Sequence, residues 1–242
     1  MSDLDLLKQG KVDHIVSTTK SVVGSIPMIG PLLSEVVGSI VPNQRIDRIT
    51  RFLVILEQRL DNVESEIIDV KLKDVECIDL IEEGFHQASR ALSDERRVYI
   101  ANIVANGISD AAIDYYEAKF VMKIVQELND QEVIWLRSYL CITLGGDEEF
   151  REKHKNILEL THVYIGSDDR TKEKGALQES YKLHLHRLNL ITPSYSIDYD
   201  TDMPEFDNIS GQQKVSYWYL TALGRLALKL IDLYDKSVDT NG

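Results

Sequence analysis

The feature that most constrains this chain is a nearly uncharged apolar segment at residues 15–42. The segment contains one lysine and one glutamate, whereas Asp, Glu, Lys and Arg together make up 28% of the whole sequence. Pro27 and Pro31 interrupt it, and a proline inside a helix removes a backbone hydrogen bond and clashes with the preceding turn. The pattern therefore predicts two short apolar helices joined by a kink or hairpin at 25–31, rather than one continuous helix.

Two interpretations of this segment are open. A helix that crosses a membrane needs about 20 mostly apolar residues, and the uncharged run at 21–34 is too short. Small residues allow two helices to approach closely, either in a protein core or part-way into a bilayer. The segment is thus either a buried helical pair or a membrane-active hairpin that the protein can release. The residues assigned to the membrane-active segment are Val22, Val23, Gly24, Ile26, Pro27, Ile29, Gly30, Pro31, Leu32, Leu33 and Gly38.

The charge balance limits the expected partners. The formal net charge is −13, and nucleic acids are bound mainly by Lys and Arg that neutralise phosphate, so nucleic-acid binding is not expected. A protein partner or a homo-oligomer is expected instead, with membrane association only on activation. Cys77 and Cys141 form neither a metal-ligand spacing nor a disulfide framework. Together with the lack of a signal-peptide pattern, they predict a cytoplasmic protein that is peripheral at the inner membrane when active.

Residues 45–145 show the three- and four-residue spacing of apolar side chains that predicts amphipathic helices. The first helix is the clearest, with Ile49, Phe52 and Leu56 on one face. Short loops separate the helices, which is typical of a helical bundle. The opposite face of the first helix is basic, and it is either a solvated face with salt bridges or a contact for lipid head groups or an acidic partner. Its candidate contact residues are Arg45, Arg48, Arg51 and Arg59.

Local signals set the expected ends of these helices. Gly84 is expected to end or bend one of them, and Gly107 is expected to terminate the next. Ser93 is a predicted N-cap, followed by acidic residues that suit the positive end of a helix dipole. Asn129 and Glu132 have the spacing of a capping box, with Asn in place of Ser or Thr.

The pattern changes at residues 146–236, where helical and strand signals alternate. Helices are predicted at 148–161 and 176–189, and two runs rich in β-branched and aromatic residues, 190–199 and 215–221, predict strands before a final helix. This order is that of a winged helix. The predicted protein is therefore mainly α, with a leader and an apolar Gly/Pro-kinked hairpin (1–44), an N-terminal helical bundle (45–145), a winged-helix-like α+β C-terminal domain (146–236) and a polar tail (237–242).

No catalytic, metal or cofactor-binding residues emerge from the sequence. His184 and His186 are two positions apart on a predicted helix, so they point in different directions, whereas helical metal sites use a spacing of three or four. Gly145 and Gly146 lack the Lys-Ser/Thr pair that follows in a phosphate-binding loop. A non-enzymatic function without a cofactor is therefore expected.

The predicted winged helix favours protein contacts over DNA. Lys182 and Arg187 are its candidate contact residues on the helix before the first strand. The loop between the two strands is acidic, and carboxylates there would be repelled by phosphate. These acidic residues are Asp198, Asp200, Asp202, Glu205 and Asp207.

The stretches HLHRLNLI at 184–191 and YLTALGRLALKLI at 219–231 resemble the C-terminal part of the Abi-alpha (abortive infection alpha) group of bacterial proteins. Leu220, Thr221 and Gly224 match the Leu-Thr-x-x-Gly element of that group, and Asn189 stands where the group has glycine. SDERRVYIANIVANGIS, at 93–109, is also similar to small bacterial proteins of this type. The resemblance implies a role in phage defence and supplies no catalytic residues.

These observations predict a non-enzymatic bacterial anti-phage protein that perturbs the membrane with residues 15–42. The pattern of that segment, an apolar hairpin before amphipathic helices, looks like that of pore-forming helical domains such as colicin-type bundles. The alternative is a protein-interaction scaffold or regulator that uses the winged helix. A DNA-binding transcription regulator is less favoured, because the loop between the strands is acidic.

Overall fold

The computed structural model describes residues 46–61, 63–143, 146–198, 201–208 and 211–240. The apolar 15–42 segment and Arg45 lie outside the described residues. The described chain is mainly helical, with a small antiparallel strand part in its C-terminal region. It divides into two compact units, Met1–Gln126 and Glu127–Gly242, a division that lies earlier in the chain than the boundary expected at residue 145.

The described helices of the first unit are α1 (Ile46–Leu60), α2 (Ser65–Lys71), α3 (Val75–Arg90), α4 (Asp94–Ser109) and α5 (Tyr115–Glu127), whose last residue opens the second unit. The second unit contains the other described helices and all the described strands. In order these are α6 (Asp130–Ser138), α7 (Glu148–Lys153), α8 (Lys155–Leu158), α9 (Asp169–Arg187), β1 (Ile191–Tyr195), β2 (Ile197–Asp198), β3 (Met203–Pro204), β4 (Val215–Leu220) and α10 (Ala222–Leu230).

The core of the first unit is formed by α1, α3 and α4. Apolar residues at helical spacing give α1 one buried face, on which Phe52 meets Phe85 of α3 edge to face, with ring centroids 5.5 Å apart. α4 is buried around most of its circumference, including Ala101 and Val104, as is usual for a central helix. The helical-bundle character that the sequence predicts is thus confirmed.

Two glycines of this unit do not end their helices as the sequence predicts. Gly84 lies inside α3, where a Cβ atom would stand 2.7 Å from Val104 Cγ2. Gly107 lies inside α4, where a Cβ atom would stand 2.6 Å from Leu80 Cδ2. Both distances are shorter than real carbon contacts, so these glycines are explained by close helix packing and not by helix termination.

The predicted caps are confirmed. The Ser93 hydroxyl accepts a hydrogen bond from the Arg96 amide at 3.2 Å. At the start of α6, the Asn129 side chain accepts from the Glu132 amide at 2.9 Å, and the Glu132 carboxylate accepts from the Asn129 amide at 2.8 Å. Both halves of the capping box are therefore present, and they fix the position of the Glu132 side chain at the helix start.

The two predicted strands are present and pair with each other. β1 and β4 are antiparallel, with Ile191 opposite Leu220 and Ser194 opposite Tyr217, and the register shifts by one residue at Tyr195. Such a bulge bends the hairpin and increases its twist. β2 and β3 form a second, two-residue ladder farther along the same hairpin.

The turn before β1 places Asn189 in a left-handed conformation. Asn189 follows the end of α9 with a φ of 57°, a left-handed conformation that Asn tolerates better than most residues. Its amide donates to the His186 carbonyl at 2.8 Å, and the Leu190 amide donates to the Leu185 carbonyl at 3.0 Å. This pair of bonds is a Schellman motif, which ends α9 and turns the chain into β1.

The Leu-Thr-x-x-Gly element joins β4 to α10. Thr221 caps α10, because its hydroxyl oxygen accepts from the Gly224 amide at 3.0 Å. The Thr221 amide donates to the Leu190 carbonyl at 3.0 Å, so this carbonyl lies over the first turn of α10. A Cβ atom at Gly224 would overlap the Leu190 carbonyl oxygen and lie 2.8 Å from Leu220 Cδ1. The spacing of Thr and Gly is therefore a packing requirement.

Two predicted helices of the second unit have different bounds. The helix expected at 148–161 is divided into α7 and α8 and ends at Leu158. It ends there because the backbone after Leu158 is hydrogen-bonded to a side chain of α9. The Thr161 amide donates to Gln178 Oε1, and Gln178 Nε2 donates to the Glu159 carbonyl. α9 begins at Asp169, before the start of the helix expected at 176–189, since the Asp168 side chain caps it.

Residues 237–240, expected as a polar tail, make specific hydrogen bonds. The Asp239 carboxylate accepts from Arg225 Nε at 2.9 Å and from the Tyr234 hydroxyl at 3.0 Å. The Thr240 amide donates to the Leu140 carbonyl at 3.1 Å, and the Thr240 hydroxyl accepts from the Ile142 amide at 2.9 Å. This part of the chain is therefore packed onto the region that follows α6.

Candidate functional site

The first candidate surface is the hairpin of residues 191–220, which we call the acidic hairpin. Its backbone is ordered beyond β1 and β4. The Ser196 amide donates to the Lys214 carbonyl at 2.8 Å, the Lys214 amide to the Glu205 carbonyl at 2.9 Å, and the Glu205 amide to the Ser196 carbonyl at 3.0 Å. Three segments of the hairpin are thus joined at one level by backbone hydrogen bonds.

Large apolar side chains of the acidic hairpin are exposed. Phe206 is 58% exposed and Tyr217 is 49% exposed, although residues of these types usually lie in a core. Tyr217 also lies beside Tyr219, with ring centroids 6.1 Å apart. Aromatic side chains gathered on an accessible surface are typical of interaction sites. The exposed apolar residues of the hairpin are Tyr195, Ile197, Met203, Phe206, Val215 and Tyr217.

The same hairpin carries a concentration of carboxylates. Asp202 and Asp207 are exposed, and Glu205 is half-buried. The Lys214 ammonium lies 3.1 Å from the Glu205 carboxylate, so the positive charge of Lys214 is offset by Glu205. The predicted acidic loop is therefore a surface on which negative charge and exposed apolar area occur together, with Asp200 outside the described residues.

Lys182 and Arg187, the predicted contact residues, lie in different surroundings on α9. Lys182 forms an ion pair with Glu179 at 2.5 Å, and its ammonium lies 5.6 Å from the centre of the Trp218 ring. His186 also meets Trp218, with ring centroids 5.1 Å apart. Lys182 is thus held against the base of the hairpin, whereas Arg187 is exposed at the edge of a cleft.

That cleft is the second candidate site, and it lies within the second unit. Its volume is about 510 Å³, and it is lined by the start of α6 and the C-terminal half of α9. On its wall, the buried Glu132 carboxylate lies 2.6 Å from His184 Nδ1. Sequence reasoning assigns Glu132 only to a cap, because these two residues are 52 positions apart and no local pattern connects them.

The basic face predicted on α1 contacts the bundle itself. Arg51 makes two hydrogen bonds to the Asp94 carboxylate, at 2.8 and 2.9 Å, and Arg48 donates to the Ser89 carbonyl at 3.3 Å. Arg97, a buried residue of α4, also pairs with Asp94, at 2.5 Å. The hydrogen bonds from Arg97 and Arg51 lower the pKa of Asp94 below its usual range. Arg59 is exposed.

Two kinds of feature are absent from the described residues. No group of three or more His, Cys, Asp and Glu side chains there is placed to hold a metal ion. None of the helices described is long and apolar enough to cross a membrane. Comparison of the whole chain with protein families, with curated proteins and with solved structures found no match.

Proposed function

We propose that this chain is a protein-interaction module that uses the acidic hairpin to bind a basic surface of a partner protein. The proposal rests on one observation: exposed aromatic side chains and clustered carboxylates occur together on this hairpin. Buried aromatic side chains supply much of the binding energy at interfaces. Complementary charge steers the encounter and selects the partner.

The order of elements around the hairpin supports a winged-helix-like description of this region. α9 is followed by β1, the hairpin tip, β4 and α10. A wing used for DNA would bring its side chains to phosphate, and the carboxylates of this hairpin would be repelled there. Several cations of α9 also have carboxylate neighbours on the same helix, such as Lys172 with Asp169 and Arg170 with Glu173. A protein partner is therefore favoured over a nucleic acid.

The proposal is tested by site-specific photocrosslinking in cells. A photoreactive phenylalanine analogue replaces Phe206 in the hairpin and, as a control, Leu92 of the first unit, which is 84% exposed. We expect a discrete protein adduct at Phe206 only, and a lower yield when salt is raised, because salt screens surface charges. No adduct at Phe206, or the same adduct at both positions, would refute a dedicated hairpin surface.

A pair of matched variants separates binding from folding. Tyr217→Ser removes an exposed ring of the hairpin, and Tyr164→Ser makes the same change at a residue that is 71% exposed and lies outside it. Because a central aromatic residue contributes about 2 kcal/mol or more to an interface, we expect Tyr217→Ser to reduce the adduct yield at least tenfold. Tyr164→Ser should leave it unchanged. Equal yields from the two variants would contradict the proposal.

A second candidate function, that of a bacterial anti-phage effector, is favoured by the apolar 15–42 segment together with the Abi-alpha resemblance. In this proposal the segment is shielded in the resting protein and inserts into the membrane when triggered, with the basic face of α1 near the head groups. Its test is to induce expression and follow membrane potential with a dye. We expect depolarisation and growth arrest, and the absence of both, even during phage infection, would refute it.

A further inference from the structure

The geometry points to a binding site for an oxyanion, a phosphate or carboxylate group of a small molecule, in the cleft between α6 and α9. The cleft has a volume of about 510 Å³, which lies in the range of small-molecule sites. This inference goes beyond the proposed function, because it concerns a different face of α9. Lys182 and His186 face Trp218, whereas the side chains of Ser180, His184 and Arg187 line the cleft.

The first step is the fixed orientation of His184. One oxygen of the Glu132 carboxylate lies 2.6 Å from His184 Nδ1, and the other accepts from the Asn129 amide at 2.8 Å. The Glu132 side chain is only 5% exposed, so it is held by these partners and not by water. A carboxylate at Nδ1 favours a proton on that nitrogen and leaves Nε2 for a ligand. Glu132 is thus a positioning residue for the imidazole.

The second step is the row of donors along α9. Residues three and four positions apart lie on the same side of a helix, so Ser180, His184 and Arg187 can reach one ligand. Together they offer a hydroxyl, an imidazole ring and a guanidinium. Arg187 is exposed, so its guanidinium is accessible to a ligand. A guanidinium binds phosphate and carboxylate in a bidentate manner.

The third step is the negative charge that also lines the cleft. Glu127 also lines it, and its carboxylate repels a second negative group. The site therefore suits a molecule with one oxyanion, placed against His184 and Arg187, over a polyanion. Charge-assisted hydrogen bonds from Arg187 would supply most of the attraction.

The test uses the full chain and the imidazole resonances of its histidines in NMR spectra. Inorganic phosphate and acetate are titrated in separate arms, and chloride at equal ionic strength is the control. The His184 resonance is assigned from its loss in His184→Gln. We expect a saturable shift of this resonance with one or both oxyanions and none with chloride. The arm that binds more tightly identifies phosphate or carboxylate as the preferred group.

Two arginine variants decide the outcome. Arg187→Gln removes the proposed ligand contact, and we expect binding to be weaker by at least about tenfold, the effect of losing one charge-assisted hydrogen bond, because both bonds of the guanidinium are lost. Arg90→Gln removes an exposed arginine of the first unit and should not change the affinity. The inference is overturned if no saturable shift occurs, or if Arg187→Gln and Arg90→Gln bind alike. Neither result would bear on the crosslink at Phe206.

Discussion

Replacement of Gly224 by alanine tests the close approach of α10 to the turn that precedes β1. The added Cβ would overlap the Leu190 carbonyl oxygen and stand 3.1 Å from the Leu190 carbonyl carbon. These are backbone atoms held by a hydrogen bond from the Thr221 amide, so they cannot rotate away. Overpacking costs about 1–3 kcal/mol, and a backbone clash belongs at the upper end. Alanine regains about 1 kcal/mol of helix propensity, which leaves a net loss of about 2 kcal/mol.

The control for this variant is the same substitution at Gly175 in α9. A Cβ there would stand 2.5 Å from Val163 Cγ2, which belongs to a side chain that is 47% exposed and can move. Gly175→Ala should therefore be neutral or stabilise the unit by up to about 1 kcal/mol. Because both variants exchange glycine for alanine inside a helix, the loss of freedom in the unfolded chain is the same and cancels in the comparison.

Tryptophan fluorescence during urea unfolding is the appropriate assay. The chain has two tryptophans, Trp135 and Trp218, and both belong to the second unit, so the signal reports that unit alone. The free energy of unfolding falls by about 2 kcal/mol per molar urea, so Gly224→Ala should lower the urea concentration at the unfolding midpoint by about 1 M. A midpoint equal to that of the parent, or equal shifts in Gly224→Ala and Gly175→Ala, would show that α10 does not approach Leu190 as described.

Two further predictions concern a charge in the first unit and the apolar 15–42 segment. Because the pKa of Asp94 is lowered in the folded state, its stabilising contribution is present above the ordinary carboxyl pKa and is lost as the pH falls through the lowered pKa. Asp94→Asn should therefore speed the hydrogen exchange of amides in α1 and α4 at neutral pH, and this difference from the parent should disappear in acid. A difference that does not change with pH would contradict a stabilising role for the ionised Asp94 carboxylate. Gly30→Asp should abolish the growth arrest caused by expression while thermal stability is retained, because a charge inside lipid costs about 3 kcal/mol. Loss of soluble protein would instead identify the segment as part of the core.

The sequence predicts what depends on neighbours along the chain. The caps at Ser93 and Asn129 are local, since each side-chain oxygen accepts from an amide three residues later. The two main strands are also recovered, because their β-branched and aromatic residues form compact runs.

What the sequence does not predict depends on distant partners. Gly84 and Gly107 are of the residue type that commonly ends helices, but at each position a side chain on another helix leaves no room for a Cβ atom. The pairing of Glu132 with His184 joins residues 52 positions apart, so no spacing rule detects it. Both residues line the cleft, so the sequence does not predict the cleft either.

The hydrogen bonds of Thr240 set a time at which the second unit can be completed during synthesis. The Ile142 amide and the Thr240 hydroxyl that accepts its hydrogen bond are 98 positions apart. Ribosomes add about 5–20 residues per second, so the backbone that follows α6 waits about 5–20 s for this partner. During that interval the Leu140 carbonyl and the Ile142 amide lack the bonds that Thr240 provides. The second unit can therefore form all of its hydrogen bonds only after synthesis has passed Thr240.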